Sequence, residues 1–417
     1  MQTPLSRRTA AFALSLVFAL VSAASPTLLA QSRRQPPTQP EKKNKRPGEE
    51  QKSDEQKKKE EEPPPGEVLV VPQTEIERVS TNLVNVDAVV IHKKSKQLIP
   101  NLKKANFAIF EDGVQQEITN FSTPEAKLNV AVVIEFSKWS EIFGYYGSSG
   151  QDFGTREVIA PAALFMQDAV SRGDYISVIA FDMRPTTLTD FTNDPGRINQ
   201  VVSFLLRQSP AFRENNLFDA IKFTLVGGKG DPVAMDNSGG KAIEYKGLTS
   251  VQGRRRAVIL IASGWDTFSK INYDQARKIA QGAGIPMYII GTGNIFYKKF
   301  GDQLPATTSI SGTPGRMDFL QAMNALQTFA KDTGGMYFPV TFEGELPTTV
   351  STINSVLRSQ YSLGYNPGER RDGKKHKILV KVDVNGDGVY DDKEFDINHR
   401  QFYIAPAPAD AKTAAKS

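Results

Sequence analysis

The hydrophobic positions change period twice along the chain. Over residues 76–126 apolar and polar side chains alternate in "NLVNVDAVVIHKK", "ANFAIFEDG" and "VQQEITNFS". This alternation predicts short antiparallel strands, with "EDG" as a hairpin turn signal. From residue 127 solid apolar runs take over, separated by amphipathic stretches of helical period. "LNVAVVIEF", "YISVIAFD", "RRAVILIASG", "PMYIIGTG" and "MYFPV" read as strands. "REVIAPAALFMQDAV", "PGRINQVVSFLLRQ", "NNLFDAIKFTLV", "YDQARKIAQGAG", "MDFLQAMNALQTFAKDTGG" and "LPTTVSTINSVLRSQ" read as helices. Residues 127–358 are therefore expected to form an α/β unit, a doubly wound and mostly parallel sheet covered on both faces. Ligands of such sheets gather at the C-terminal strand ends, which points to the loops after Phe136, Ala180 and Ala262.

Residues 359–405 return to β character in "YSLGYNPG", "HKILVKVDV" and "EFDINHRQFYIAP". The β segments before and after the α/β unit are expected to pack together, with that unit inserted between them. Residues 406–417 read as a frayed tail.

At the other end, Arg7 and Arg8 precede the apolar run "AAFALSLVFALVSAA" and small residues, the pattern of an export signal over 1–30. Retained, it would anchor the chain, and this is the only membrane contact expected. Residues 31–75 are charged and proline-rich, with too little apolar surface to offset the entropy of ordering, and read as a disordered linker. The expected location is exported: periplasmic, envelope-associated or secreted.

Composition narrows the chemistry. The 417-residue chain carries a net charge of only +5, which argues against a nucleic-acid binder with a dense basic face. It has no cysteine, excluding disulfides and thiolate chemistry, and its three histidines argue against a histidine-rich zinc site. No nucleophile elbow, Walker loop, H-E-x-x-H or dinucleotide fingerprint occurs. "GSSG" at 147–150 and "VGGKGD" at 226–231 read as loops, and "GRRRA" at 253–257 as a solvated strand entry at the end opposite the site.

"NVAVVIEFSKWSEIF", "LFDAI" and "RRAVILIASGWDTFS" together resemble a von Willebrand factor type A domain. With the flanking β segments, the likeness covers roughly residues 76–405 and is to exported bacterial proteins of the VWFA-related type, seen especially in Acidobacteria. It implies a doubly wound domain that binds proteins, often through a divalent ion, and no catalytic reaction. The implied function is a non-catalytic protein-interaction or adhesion module whose partner the sequence does not name. The alternative is a metal-dependent hydrolase on the same framework, using Glu135, Asp266 or Asp219 as acid or base.

The family's metal-ion-dependent adhesion site is Asp-x-Ser-x-Ser after the first strand, a Thr from a second loop and an Asp after the fourth core strand. Here Glu135 stands at the first Asp, Ser137 at the first Ser and Trp139 at the second, with Ser140 out of phase. Asn215 stands at the Thr and Ser263 at the last Asp. The resemblance thus implies a degenerate site whose single carboxylate should hold Mg²⁺ poorly. Trp139, Phe143, Tyr145 and Tyr146 in the following loop are candidate partner-binding aromatics.

A second template fits "DVNGDGVYDDKE", residues 383–394. Asp383, Asn385, Asp387, Val389 (through its carbonyl), Asp391 and Glu394 fall at positions 1, 3, 5, 7, 9 and 12 of a calcium loop, with Gly388 at the bend. The flanks read as strands, so the expectation is an EF-hand-like calcium loop between two β-strands. A plain polar hairpin is the competing reading.

Overall fold

The structure, a computed structural model, describes residues 83–138, 154–208, 210–229, 244–252, 254–308, 314–368 and 370–406. All of them belong to one compact unit. The expected signal segment, the linker and nearly all of the tail lie outside the described residues.

The chain begins with strands β1 (Val84–His92), β2 (Phe107–Glu111), β3 (Val114–Gln116) and β4 (Ile118–Ser122). The α/β part follows as β5 (Leu128–Glu135), α1 (Gly154–Ser171), β6 (Tyr175–Phe181), β7 (Pro185–Thr192), α2 (Pro195–Arg207) and α3 (Leu217–Val226). After the short pair β8 (Gly228–Lys229) and β9 (Glu244–Tyr245) come β10 (Arg255–Ala262), α4 (Tyr273–Ala283), β11 (Met287–Gly291) and α5 (Gly293–Phe300). Next are α6 (Arg316–Thr333), β12 (Tyr337–Pro339) and α7 (Leu346–Leu357). Strands β13 (Gln360–Tyr365), β14 (Lys375–Val382), β15 (Phe395–His399) and β16 (Phe402–Ile404) close the chain.

The six-stranded sheet runs β12-β11-β10-β5-β6-β7, parallel except for the β7 edge. All eight residues of β5 are buried, and their period-two geometry divides them between two cores. Val130, Val132 and Ile134 pack with Ile159 and Met166 of α1, Val201 of α2 and Ile353 of α7. Ala131 and Val133 pack with Ile221 of α3, Ala276 of α4 and Phe329 of α6. That is why the strand reads as a solid apolar run. Helix starts are set locally: Asp194 accepts from Gly196 N before Pro195 opens α2, and Asn272 accepts from Gln275 N to open α4. Strand β7 was not expected, because its "PTTLTDFT" is threonine-rich and half exposed at an edge.

The flanking segments form two four-stranded sheets, β15-β1-β13-β4 and β16-β14-β2-β3. Val86, Ala88, Val90 and Leu363 of one meet Ile109, Ile378 and Val380 of the other in a third core. Strands β4 and β13, which bracket the α/β part in sequence, pair antiparallel, so the chain enters and leaves it side by side. At the "EDG" turn Asp112 and Gly113 both have positive φ (49° and 88°), the geometry of a tight hairpin.

The arginines of "GRRRA" correct the solvated reading. Arg255 is 6% exposed and donates to the carbonyls of Pro124, Ala126, Leu357 and Gln360, where the two-sheet part joins the α/β part. Arg254 caps the Gly173 carbonyl and lies over the Tyr175 ring. An arginine at a strand entry reaches several carbonyls at once because its guanidinium presents five donors in a fixed fork.

Candidate functional site

Glu135 ends β5 at the C-terminal rim of the parallel sheet, and the loop after β10 brings Ser263 to it. Its carboxylate accepts from Ser263 N at 2.6 Å, Ser263 Oγ at 2.8 Å and Ser137 Oγ at 2.8 Å. Burial raises the Glu135 pKa, opposed by these Ser263 and Ser137 bonds and by the neighbouring Asn215 side chain. Asn215 itself is fully buried, and neither atom of its carboxamide makes a hydrogen bond of good geometry. Glu135, Ser137, Asn215 and Ser263 therefore come together, all four 4% exposed or less.

The other rim acids stand apart from Glu135. Asp266 accepts from Phe218 N at 3.2 Å and from Ser269 Oγ, and burial raises its pKa. Asp219 accepts from Lys270 N at 2.9 Å and Ile271 N at 3.3 Å. Both carboxylates tie the 263–272 loop to the first turn of α3. Asn215 O accepts from Thr267 N and Phe268 N, zipping the same two loops together.

The rim also exposes apolar side chains that were not singled out from the sequence. Phe212 and Phe268 sit in loops there, Phe212 placed by Lys138 N donating to its carbonyl. Met317 and Leu320 lie in the first turns of α6, where Phe319 meets Trp265 edge-on at 5.2 Å, and Phe342 follows β12. Each is about half exposed. For Phe268 and Phe342 the signal available was a large apolar residue in a loop after a parallel strand. The expected contact residues Trp139, Phe143, Tyr145 and Tyr146, with Ser140, lie outside the described residues.

No protein-family model matches the chain, and no curated protein matches it. Solved structures do. An aerotolerance-related membrane protein from Bacteroides fragilis is 16% identical over 55% of this chain and 98% of its own, with a TM-score of 0.33. The von Willebrand factor domain of a type V pilus tip protein from Porphyromonas gingivalis is 14% identical over 55% and 94%, at 0.35. A von Willebrand factor type A protein from Catenulispora acidiphila is 8% identical over 78% of each chain, at 0.37. The chain is thus similar to proteins that carry a von Willebrand factor type A domain. Its sheet, with strand order β7-β6-β5-β10-β11-β12, reverses direction between β5 and β10, and Glu135 lies at that switch point.

Outside the α/β part, the loop 383–394 joins β14 to β15 and so crosses from one flanking sheet to the other. Asp383 is buried; its Oδ1 accepts from Gly386 N at 2.7 Å and its Oδ2 from Gly388 N at 2.8 Å. Asn385 Oδ1 accepts from Asp387 N, and Asp387 Oδ1 from Val389 N. Asp391 Oδ2 accepts from Val384 N at 2.7 Å, and Glu394 is exposed at the loop's end, its amide on the Asp391 carbonyl. Gly386 and Gly388 supply the positive φ that the bends require. The Asn106 side chain docks the loop by donating to Asp383 O. Among the described residues no helix is long and apolar enough to cross a membrane.

Proposed function

We propose that the chain is an exported, non-catalytic protein-interaction module that engages a protein partner through the C-terminal rim of its type A-like sheet, without Mg²⁺. The exposed apolar side chains gathered on that rim carry this reading, since exposed apolar groups clustered on one face favour a protein contact. The Glu135 set supports its metal-free form. It offers one carboxylate, already bonded to two serines, in a place closed to solvent, whereas Mg²⁺ keeps several waters in its shell. The test is a photo-crosslinking residue at Phe268, with one at Val226 at the opposite end of α3 as control, in the cells that make the protein. A discrete crosslinked protein from Phe268 alone is expected; equal products from both positions, or none, would remove the reading. In parallel, Glu135→Ala is expected to lower the melting temperature equally with and without Mg²⁺. A magnesium-dependent difference would restore a metal site.

The loop 383–394 is proposed to take Ca²⁺, with a structural role. Its donors are all hard oxygens, and it bridges two sheets that the ion would hold together. A calcium-specific rise in melting temperature, lost in Asp387→Ala and kept in Glu135→Ala, is the expected outcome. No shift at millimolar Ca²⁺ would leave a polar connection.

A further inference from the structure

At the far end of the β2–β14 pair, side chains distant in sequence converge. Glu111 ends β2, Asp112 occupies the turn beyond it, Arg370 and Asp372 lie between β13 and β14, and His376 is the second residue of β14. His376 Nδ1 lies 2.8 Å from Asp112 Oδ2 and 4.0 Å from Glu111 Oε1. Its Nε2 lies 3.2 Å from Asp372 Oδ1, and the Tyr403 ring packs against the imidazole at 5.3 Å. One ligand atom from each of Glu111, Asp112 and His376 falls within 4.8 Å of the others.

Two features mark this as more than an ion-pair cluster. The Glu111 side chain is 2% exposed, yet its Oε2 makes no hydrogen bond of good geometry. An unpaired oxygen on a buried carboxylate is a costly arrangement that a cation relieves. The second feature is a conflict at Nδ1, which faces an acceptor, Asp112 Oδ2, and a donor, Arg370 Nη1 at 3.0 Å. A protonated Nδ1 satisfies Asp112 and opposes Arg370; a bare Nδ1 does the reverse. A cation at the centre satisfies the bare nitrogen and both carboxylates together. The Arg370 guanidinium occupies that centre, in contact with Glu111 Oε1 and 3.5 Å from Asp112 Oδ2, and its side chain is 41% exposed, so solvent can receive it.

The geometry points to a divalent metal site of the zinc type, with His376 Nδ1, Asp112 and Glu111 as protein ligands and Arg370 as the competitor that holds the place in the metal-free protein. One imidazole nitrogen and two carboxylates suit Zn²⁺, which takes three protein ligands and a water in open sites. Asp372 completes the arrangement as a positioning residue: by accepting from Nε2–H it holds the tautomer that leaves Nδ1 free to ligate. The site stands on the flanking sheets and is independent of the rim reading.

The experiment is a calorimetric titration of the folded chain with Zn²⁺, in calcium excess so that the acidic tail loop is occupied. Arg370→Ala removes the competitor and is expected to bind one Zn²⁺ more tightly than the wild type. Adding His376→Gln abolishes that binding, and adding Asp372→Asn weakens it about tenfold or more. Should the His376 variant fail to fold in metal-free buffer, Asp112→Asn on the Arg370→Ala background carries the same expectation. No binding in Arg370→Ala, or binding that survives loss of His376 or Asp112, overturns the site.

Discussion

Among single residues, Arg255 does most to join the two parts of the molecule. Its four carbonyl partners come from the turn leading into the α/β part and from the segment leading out, and Asp87 of β1 lies close enough to feel its charge. Arg255→Gln takes the cation away from those carbonyls and removes the largest of the three arginine charges acting on Asp87, and should cost about 3–5 kcal/mol, read as a drop in the urea midpoint. A loss below about 1 kcal/mol would mean that water replaces the guanidinium. His399 gives a pH-dependent counterpart. Burial lowers its pKa, while its Nδ1 bonds the Arg400 carbonyl and its Nε2 accepts from Val380 N. With the folded pKa depressed, the unfolded chain takes the proton first. The His399 contribution is therefore full above about pH 6.5 and is lost as the pH falls below it. The melting temperature should fall less steeply with acid in His399→Gln than in wild type, and parallel curves would rule out His399 as the source.

For the elements, the periods of the sequence were enough to place every strand of the sheet except β7, and to separate the α/β part from the β segments around it. Solid apolar runs mark strands covered on both faces, and β5 is such a strand; β7 lies at an edge with threonines half exposed and carries no such mark. The rim was legible only in part. The apolar runs placed Glu135, Ser137 and Ser263 at strand ends and the resemblance to a type A domain added Asn215, but the capping work of Asp266 and Asp219 depends on how two loops meet. The cluster around His376 had no sequence signal, since its members come from segments more than two hundred residues apart. Helix ends provide a paired test. Gly334 ends α6 with φ +80°, and an added Cβ would lie 2.4 Å from Arg400 N; Gly282, exposed within α4, has nothing within 4 Å. Gly334→Ala should therefore cost more than about 1 kcal/mol, while Gly282→Ala should stabilise by about 0.5–1 kcal/mol. Chemical denaturation of the two variants reads both signs, and a stabilised Gly334→Ala would contradict the close approach.

Across the whole molecule, the question is whether the flanking sheets and the α/β part unfold together. A change of hydrophobic period suggests a boundary, yet the structure crosses it repeatedly. Val89 of β1 packs into the same core as Leu128 and Leu357, Arg255 reaches both connecting segments, and Asn398 of β15 donates to the carbonyls of Gly334 and Gly335. Such contacts are tertiary, made between residues far apart in sequence, which is why no local pattern announced them. If they couple the parts, native-state hydrogen exchange should give amides in β1 and β13 the same opening free energy as amides in β5 and β10. Arg255→Gln should then separate the two groups, lowering protection more in β1 and β13 than in β5, whose eight residues are buried between two helical layers. Two distinct free energies already present in the wild type would show that the flanking sheets open by themselves, with the junction a contact between independent units rather than one cooperative core.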